Sequence, residues 1–243
     1  INSPYNKLEL LNIAQGGATR EALTKEIIED FEIDLPPVEN QETVANILSA
    51  YDKLIENNNR RIVILEEMAQ RLYREWFVHF RFPGHENVEM VDSELGMIPE
   101  GWKAGKVGDI CDRIFSGGTP TTTIDEYWNG DLPWFSSGET RNSFIVDTEK
   151  SITKLGVDNS STRKANAKDV VIASAGQGKT RGQTSYLLID TYINQSVTAL
   201  RGKENVSEYL FINIKSRYPE LRNASDSSSI RGSITTVLMS GLD

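Results

Sequence analysis

Between Pro36-Pro37 and Pro83-Gly84 the chain carries an apolar stripe of helical period, and this feature limits what the remainder can be. Val44, Leu48, Tyr51, Ile55, Asn58, Ile62, Leu65, Ala69, Leu72 and Trp76 follow one another at alternating steps of four and three, ten successive heptad positions. Asn58 is the one polar exception, of the kind that fixes register or partner number at a cost in stability. The paired prolines favour an extended entry and Pro83 closes the pattern, so one helix is expected over Glu39–His79 within a spacer segment 39–82. At about 1.5 Å per residue it would be roughly 55–60 Å long, more than an ordinary globular domain encloses. Part of the stripe therefore calls for another long helix, either in an antiparallel coiled coil used as a spacer or through self-association. A bundle helix lying on its own domain is the simpler alternative. Glu56, Arg60, Arg61, Glu66, Glu67, Arg71 and Arg74 read as a solvated face with i,i+4 pairs, not as a nucleic-acid surface.

With 243 residues, 38% of them hydrophobic and 25% charged, the chain is able to bury a core as one large or two modest domains. Cys111 is the single cysteine and cannot form an internal bridge. The sequence holds neither an apolar run of membrane length nor a basic-then-apolar leader, so no membrane association is expected and the reducing cytoplasm is the expected location. It opens at Ile1 without Met, and both ends are treated as arbitrary. A net charge of −9 argues against indiscriminate coating of nucleic acid, which needs Lys and Arg in excess. Residues 151–202 reverse the sign locally, with 7 basic against 3 acidic side chains, or +4.

The flanks of the helix read as β-rich, globular material. Asp169–Ser174, Thr184–Asp190 and Ser196–Leu200 are strand-like, and 207–217 and 231–240 are helical in pattern, so a mixed α/β domain is expected. The two flanks also match each other at an offset of 211 residues. Glu9-Leu10 meets Glu220-Leu221, Asn12 meets Asn223, Arg20 meets Arg231, Leu23-Thr24 meets Ile234-Thr235, and Ile27-Ile28 meets Leu238-Met239. A small-residue cluster, Gly16-Gly17 or Ser227-Ser228, precedes the Arg in each copy.

The order Gly-Gly-Ala-Thr-Arg-Glu-Ala-Leu-Thr (16–24), Ile-Asp-Leu-Pro-Pro-Val-Glu-Asn-Gln (33–41) and then the heptad helix resembles part of the specificity subunit of type I restriction-modification systems. These segments look like the end of a target-recognition domain and the central conserved region. Ile98-Pro-Glu-Gly-Trp102, Phe115-Ser-Gly-Gly-Thr-Pro120, Tyr127-Trp128, Leu132-Pro-Trp-Phe135 and Ile193-Asn-Gln195 look like the opening and middle of a further recognition domain. The resemblance implies that 1–38 close a preceding recognition domain, 39–82 are the spacer helix, 83–95 a linker, and 96–243 a recognition domain lacking its final strand and second helix. Against a full-length member, the first domain is mostly absent. The resemblance further implies a chain without catalysis or cofactor of its own, which reads one half of a bipartite duplex DNA target and docks methylation (M) subunits. Those subunits would bind S-adenosylmethionine and transfer the methyl group to adenine, and a restriction (R) subunit would cut. Half-site spacing then follows from the distance between two readers.

Three strings compete with that reading. Ala173-Ser-Ala-Gly-Gln-Gly-Lys-Thr180 satisfies a loose Walker A pattern behind Val170-Val171-Ile172. A phosphate loop needs a helix directly after the Lys-Thr, whereas Arg181–Ser185 leads into Tyr186-Leu187-Leu188-Ile189, which reads as a hairpin. Asn2-Ser-Pro-Tyr5 is similar to an adenine-holding motif of amino-methyltransferases but lacks a Gly-rich cofactor site nearby. His79, His85 and Cys111 do not form a metal-ligand pattern, and no metal is expected.

A DNA surface requires Arg or Lys for phosphates, and Arg, Asn, Gln or Ser for base edges. The candidates in expected loops are Arg141, Asn142, Ser161, Thr162, Arg163, Lys164, Gln177, Lys179, Arg181, Ser228 and Arg231, with Arg20 in the matching flank. Arg20 and Arg231 precede apolar helical stripes, where amides would face a phosphate. For each, a backbone-bonded turn or a solvated cation is the plainer reading. Ser116–Pro120 reads as a turn that shapes the fold, and Trp128 and Trp134 as core aromatics. A nucleotide-binding enzyme using the 173–180 loop and a coiled-coil scaffold indifferent to DNA are the alternatives.

Overall fold

The computed structural model describes residues 4–15, 23–176, 179–227 and 232–243. The chain forms two compact units, Ile1–Ile64 and Leu65–Asp243. The first holds helices α1 (Pro4–Gln15) and α2 (Lys25–Glu29) and most of α3, which spans Val38–Tyr73. Thr24 caps α2, its Oγ1 accepting from the Ile27 amide at 3.4 Å and so satisfying one of the free N–H groups at the helix start. α3 begins directly after Pro37, and Gln41 Nε2 donates back to the Pro36 carbonyl at 2.8 Å.

α3 matches the expected helix closely at its start. Its end differs: from Arg74 to Val78 the backbone widens into a π-helical turn before stopping at His79. No residue of α3 is buried. Val44, Leu48, Tyr51, Ile55, Asn58, Ile62, Leu65 and Leu72 are all exposed, while Ala69 and Trp76 are partly covered. The heptad stripe is thus present on the helix, and among the described residues most of it is exposed. The polar face behaves as expected where Arg60 pairs with Glu56 at 3.0 Å, both exposed.

In the second unit, β1 (Met90–Ser93) and β2 (Gly96–Pro99) form an antiparallel hairpin, the first strand lying in the expected linker. Two sheets follow. The larger has the order β3 (Cys111–Ser116), β11 (Val197–Gly202), β8 (Val170–Ala173), β9 (Thr184–Leu187), β5 (Phe144–Ile145). The smaller runs β6 (Lys150–Ile152), β4 (Trp128–Phe135), β10 (Thr191–Ile193), β7 (Arg163–Ala165). Pairing is antiparallel except at β5–β9 and β10–β4. A short helix α4 (Lys154–Asp158) precedes β7, and α5 (Ser207–Ser216), α6 (Tyr218–Ser227) and α7 (Thr236–Ser240) close the chain.

The apolar run Val170–Ala173 explains the layering. Side chains alternate across a strand. Val170 and Ile172 pack with Leu210, Ile214, Leu221, Ile234 and Met239 of the helical layer and its approach. Val171 packs on the opposite side with Phe115, Phe135, Leu187, Ile193 and Ala199. With both faces covered, β8 reads as a continuous hydrophobic segment instead of an alternating one. The expected strands near 169–174, 184–190 and 196–200 are β8, β9 and β11, and the helix near 207–217 is α5, so the fold is the mixed α/β one. Of the helical pattern at 231–240 only 236–240 form a helix, α7, with 232–235 non-helical and Thr235 as its cap, and α6 was not foreseen.

Polar groups pin this core at few points. Asp169 is buried and receives Arg201 Nε at 3.0 Å and Nη2 at 2.8 Å, with the Asn166 amide also at 2.8 Å. This two-pronged, charge-assisted contact ties the entry of β8 to the exit of β11. The 116–120 turn also shapes the fold: a Cβ on Gly117 would lie 1.8 Å from the Ile193 carbonyl oxygen, and one on Gly118 2.1 Å from Ser161 Oγ. Trp134 is buried, donates to the Gly118 carbonyl at 3.4 Å and meets Trp128 edge-on at 5.0 Å.

Candidate nucleic-acid interface

Ahead of the Gly-rich segment stands β8, and after it β9 returns antiparallel, with Ile172 opposite Thr184. The Gly182 amide donates to Ala173 O, and the Ala173 amide to Gln183 O, both at 2.9 Å. No helix follows Lys179-Thr180 among the described residues, so the geometry a phosphate loop needs is lacking and the hairpin reading holds. Beside this hairpin lies an open cavity of about 380 Å³, lined by Thr140, Arg141, Ser143, Lys179, Gly182, Gln183, Thr184, Lys215 and Tyr218.

The cavity brings together two candidates far apart in sequence, Arg141 and Lys179. Arg141 is half exposed, donates to the Gly138 carbonyl at 2.8 Å and pairs with Glu149. Lys179 is exposed, and its carbonyl accepts from Tyr218 Oη at 2.8 Å. Among the described residues no carboxylate lies within ion-pairing distance of Lys179. Asn142 presents its side chain outward while its carbonyl accepts from Ser185 Oγ at 2.6 Å.

Arg181 is placed differently. Its side chain is buried and pairs with Asp226, and a Cβ on Gly232 would come within 2.8 Å of its Nη1. The guanidinium is therefore engaged inside the domain, and the expected outward-facing Arg181 is corrected to an internal tie between the hairpin and α6. Its sequence neighbourhood carried no sign of this, because Asp226 lies 45 residues away.

A second group sits on the smaller sheet. Thr162 is buried, its Oγ1 donating to the Ile193 carbonyl at 3.0 Å, so it braces β10 instead of facing solvent. Ser161, Arg163 and Lys164 are exposed, the last two on edge strand β7. Lys164 pairs with Asp190 at 2.7 Å; that hydrogen bond holds the Asp190 carboxyl below its ordinary range and raises the ammonium. Arg163 has no carboxylate partner among the described residues. Nothing places this group in the same cavity as Arg141 and Lys179. Gln177, Ser228, Arg231 and Arg20 lie outside the described residues, as do Asn2 and Ser3.

Sequence reasoning missed Lys215, Ser143 and Tyr218 in the cavity wall. The usable signal was the i,i+4 pair Phe211 and Lys215 on the expected helix, with the ammonium 5.3 Å from the ring. Among the described residues no group of His, Cys, Asp and Glu is arranged to hold a metal ion, and no helix is long and apolar enough to cross a membrane.

The second unit is thus a layered α/β domain that carries a hairpin after β8 and exposed cations, and the first holds most of a long helix. Residues 5–67 and 99–237 match the type I restriction modification DNA specificity domain, and the chain belongs to that family. It is 28% identical over 169 residues to the type I restriction enzyme MjaIX specificity subunit of Methanocaldococcus jannaschii, covering 70% of this chain and 39% of that protein. It is 20% identical to the HindI specificity subunit of Haemophilus influenzae, covering 79% and 54% respectively. The fold is similar to the S subunit of a type I restriction-modification system from M. genitalium, with a TM-score of 0.56, 13% identity and coverage of 99% of this chain and 60% of that one. The chain thus spans about two fifths to three fifths of these relatives.

Proposed function

We propose that this chain reads DNA sequence within a type I restriction-modification complex and performs no catalysis itself. The observation that carries the reading is the match of the specificity domain over 5–67, which takes in most of α3, and again over 99–237. Lys179 and Arg163, without a carboxylate partner among the described residues, supply cations for phosphates, and exposed Asn142 and Ser161 are donors and acceptors for base edges. Thr162 and Arg181 hold the backbone under these residues.

In this reading residues 96–243 are a recognition domain lacking its final strand and second helix, reading one half of a bipartite duplex. Residues 1–38 close a preceding one. The heptad stripe takes a second long helix, from a neighbouring segment of the intact protein or from a second copy, and the pair spaces the two half-sites. M subunits dock on the assembly and carry S-adenosylmethionine and the adenine methyl transfer, and an R subunit cuts. The complex works in the cytoplasm, where its DNA is.

Selection from a randomised duplex pool, with the chain or its intact parent assembled with M subunits at near-physiological salt, tests this. One or two short fixed blocks separated by an unread gap are expected. A formed complex with no preferred sequence overturns the reader in favour of a scaffold. Lys179→Ala and Arg163→Ala should each weaken binding of all sequences alike and lower the salt slope by about 1.

A further inference from the structure

The second unit contains the last turns of α3, and α5 grips them through two separate polar links. Asn213 Nδ2 donates to Tyr73 Oη at 2.8 Å and lies 3.4 Å from Tyr209 Oη. Two residues further along α5, Lys215 Nζ sits 3.4 Å from Glu66 Oε1 and donates to Ser143 Oγ at 2.7 Å. Phe77 of the π-helical turn adds an edge-on contact with Tyr209 at 4.8 Å. The widened turn alters the 3.6-residue period there, at the point where Phe77 meets α5.

Two features are poorly explained by stability alone. Asn213 is 5% exposed, and its Oδ1 has no hydrogen-bond partner. A buried acceptor left unmade disfavours the folded state, and an apolar side chain of similar size would avoid it. What the amide gives in return is direction, since its donors reach the hydroxyl of one α3 residue. Lys215, in turn, touches the helix through Glu66 and, through Ser143, the loop that carries Arg141 and Asn142. The cavity containing Arg141 and Lys179 therefore shares a wall residue with the anchor of the helix.

We propose that Asn213 and Lys215 are positioning residues that fix the direction of the α3 exit relative to the reading loop, and thereby set which half-site separations the complex accepts. This rests on the DNA-reading function proposed above. Because these contacts act on the helix exit and do not include Arg141 or Lys179, they govern spacing more than the affinity for one half-site.

The test uses the intact complex and duplexes whose unread gap is shortened or lengthened by one or two base pairs, alongside a duplex with a single half-site. The variants are Glu66→Ala combined with Tyr73→Phe, which cut both links from the helix side, and separately Asn213→Leu. The double variant is expected to bind the single half-site as the unaltered complex does. Its discrimination against a gap wrong by one base pair should fall about tenfold, and Asn213→Leu should fall likewise while melting no lower. A spacing profile as sharp as that of the unaltered complex in both variants overturns the positioning role. If the unaltered complex selects no sequence at all, the reading function fails and the inference falls with it.

Discussion

The helices at 4–15 and 25–29 and those at 218–227 and 236–240 are built alike and treated differently by their surroundings. At an offset of 211 residues, α2 and α7 are both five-residue helices, each capped by a threonine, Thr24 or Thr235, whose hydroxyl accepts an amide three residues on. Each follows a longer helix, α1 or α6. Their matched apolar side chains diverge: Ile234 and Met239 are buried against the five-stranded sheet, whereas Leu23 and Ile28 are more than two fifths exposed. Local sequence sets the helix, the cap and the apolar positions. Whether those positions contribute to stability depends on a sheet that, among the described residues, covers the later segment and not the earlier one.

The comparison is broken most sharply by truncating matched residues. Met239→Ala should cost about 2–5 kcal/mol, through lost burial and the cavity left behind. Its counterpart Ile28→Ala should stay within about 0.5 kcal/mol, as exposed substitutions do. Urea unfolding of the two variants, read through their midpoints, checks this. Equal losses would mean that the earlier copy is covered after all.

Alkaline titration gives an intermediate effect confined to the later copy. Cys111 lies in the same core cluster as Ile234 and Met239, and burial pushes its thiol up to about 11 from an ordinary value near 9. The folded state thus keeps the proton where the unfolded chain has lost it. This contribution is full below pH 9 and is lost as pH rises from 9 to 11. Stability measured over that window should decline less steeply in Cys111→Ala than in the unaltered protein. Cys111 should also resist alkylation near neutral pH in the folded state.

Caps offer a finer comparison. Thr235→Ala is expected to cost about 1 kcal/mol, and Thr24→Ala less, because the helix it starts carries no buried residue. Thermal melting of the pair would reveal the difference. The smallest effect on the stability of the chain itself is expected from Leu48→Glu, which alters only the uncovered stripe. Sedimentation should nevertheless show loss of association through that stripe, and an unchanged mass distribution in a self-associating sample would remove α3 as the contact.

What was legible in the sequence follows the range of the interaction that decides it. α3 was legible because its stripe is local and long, and β8 because four adjacent apolar residues are buried on both faces. The π-helical turn was not, since it depends on Phe77 finding Tyr209. Arg181 and Thr162 resembled surface donors because their partners, Asp226 and the Ile193 carbonyl, are supplied by distant elements. Arg141 and Lys179 were legible as cations, but their common cavity was not, because α5 and α6 supply its far wall.

The pairing of β3 with β11 bears on how the chain is made. Ser116 and Thr198 face each other in this pair, 82 residues apart. At about 5–20 residues per second, β3 leaves the ribosome on the order of 4–16 s before the strand it needs. The β8–β9 hairpin can close in the meantime, because its loop is short. Ile114 and Phe115 wait in an unpaired strand until β11 arrives between them and the finished hairpin. Nascent chains stalled before residue 197 should therefore present a sticky β-edge to chaperones, and release past residue 202 should be the step that hides it.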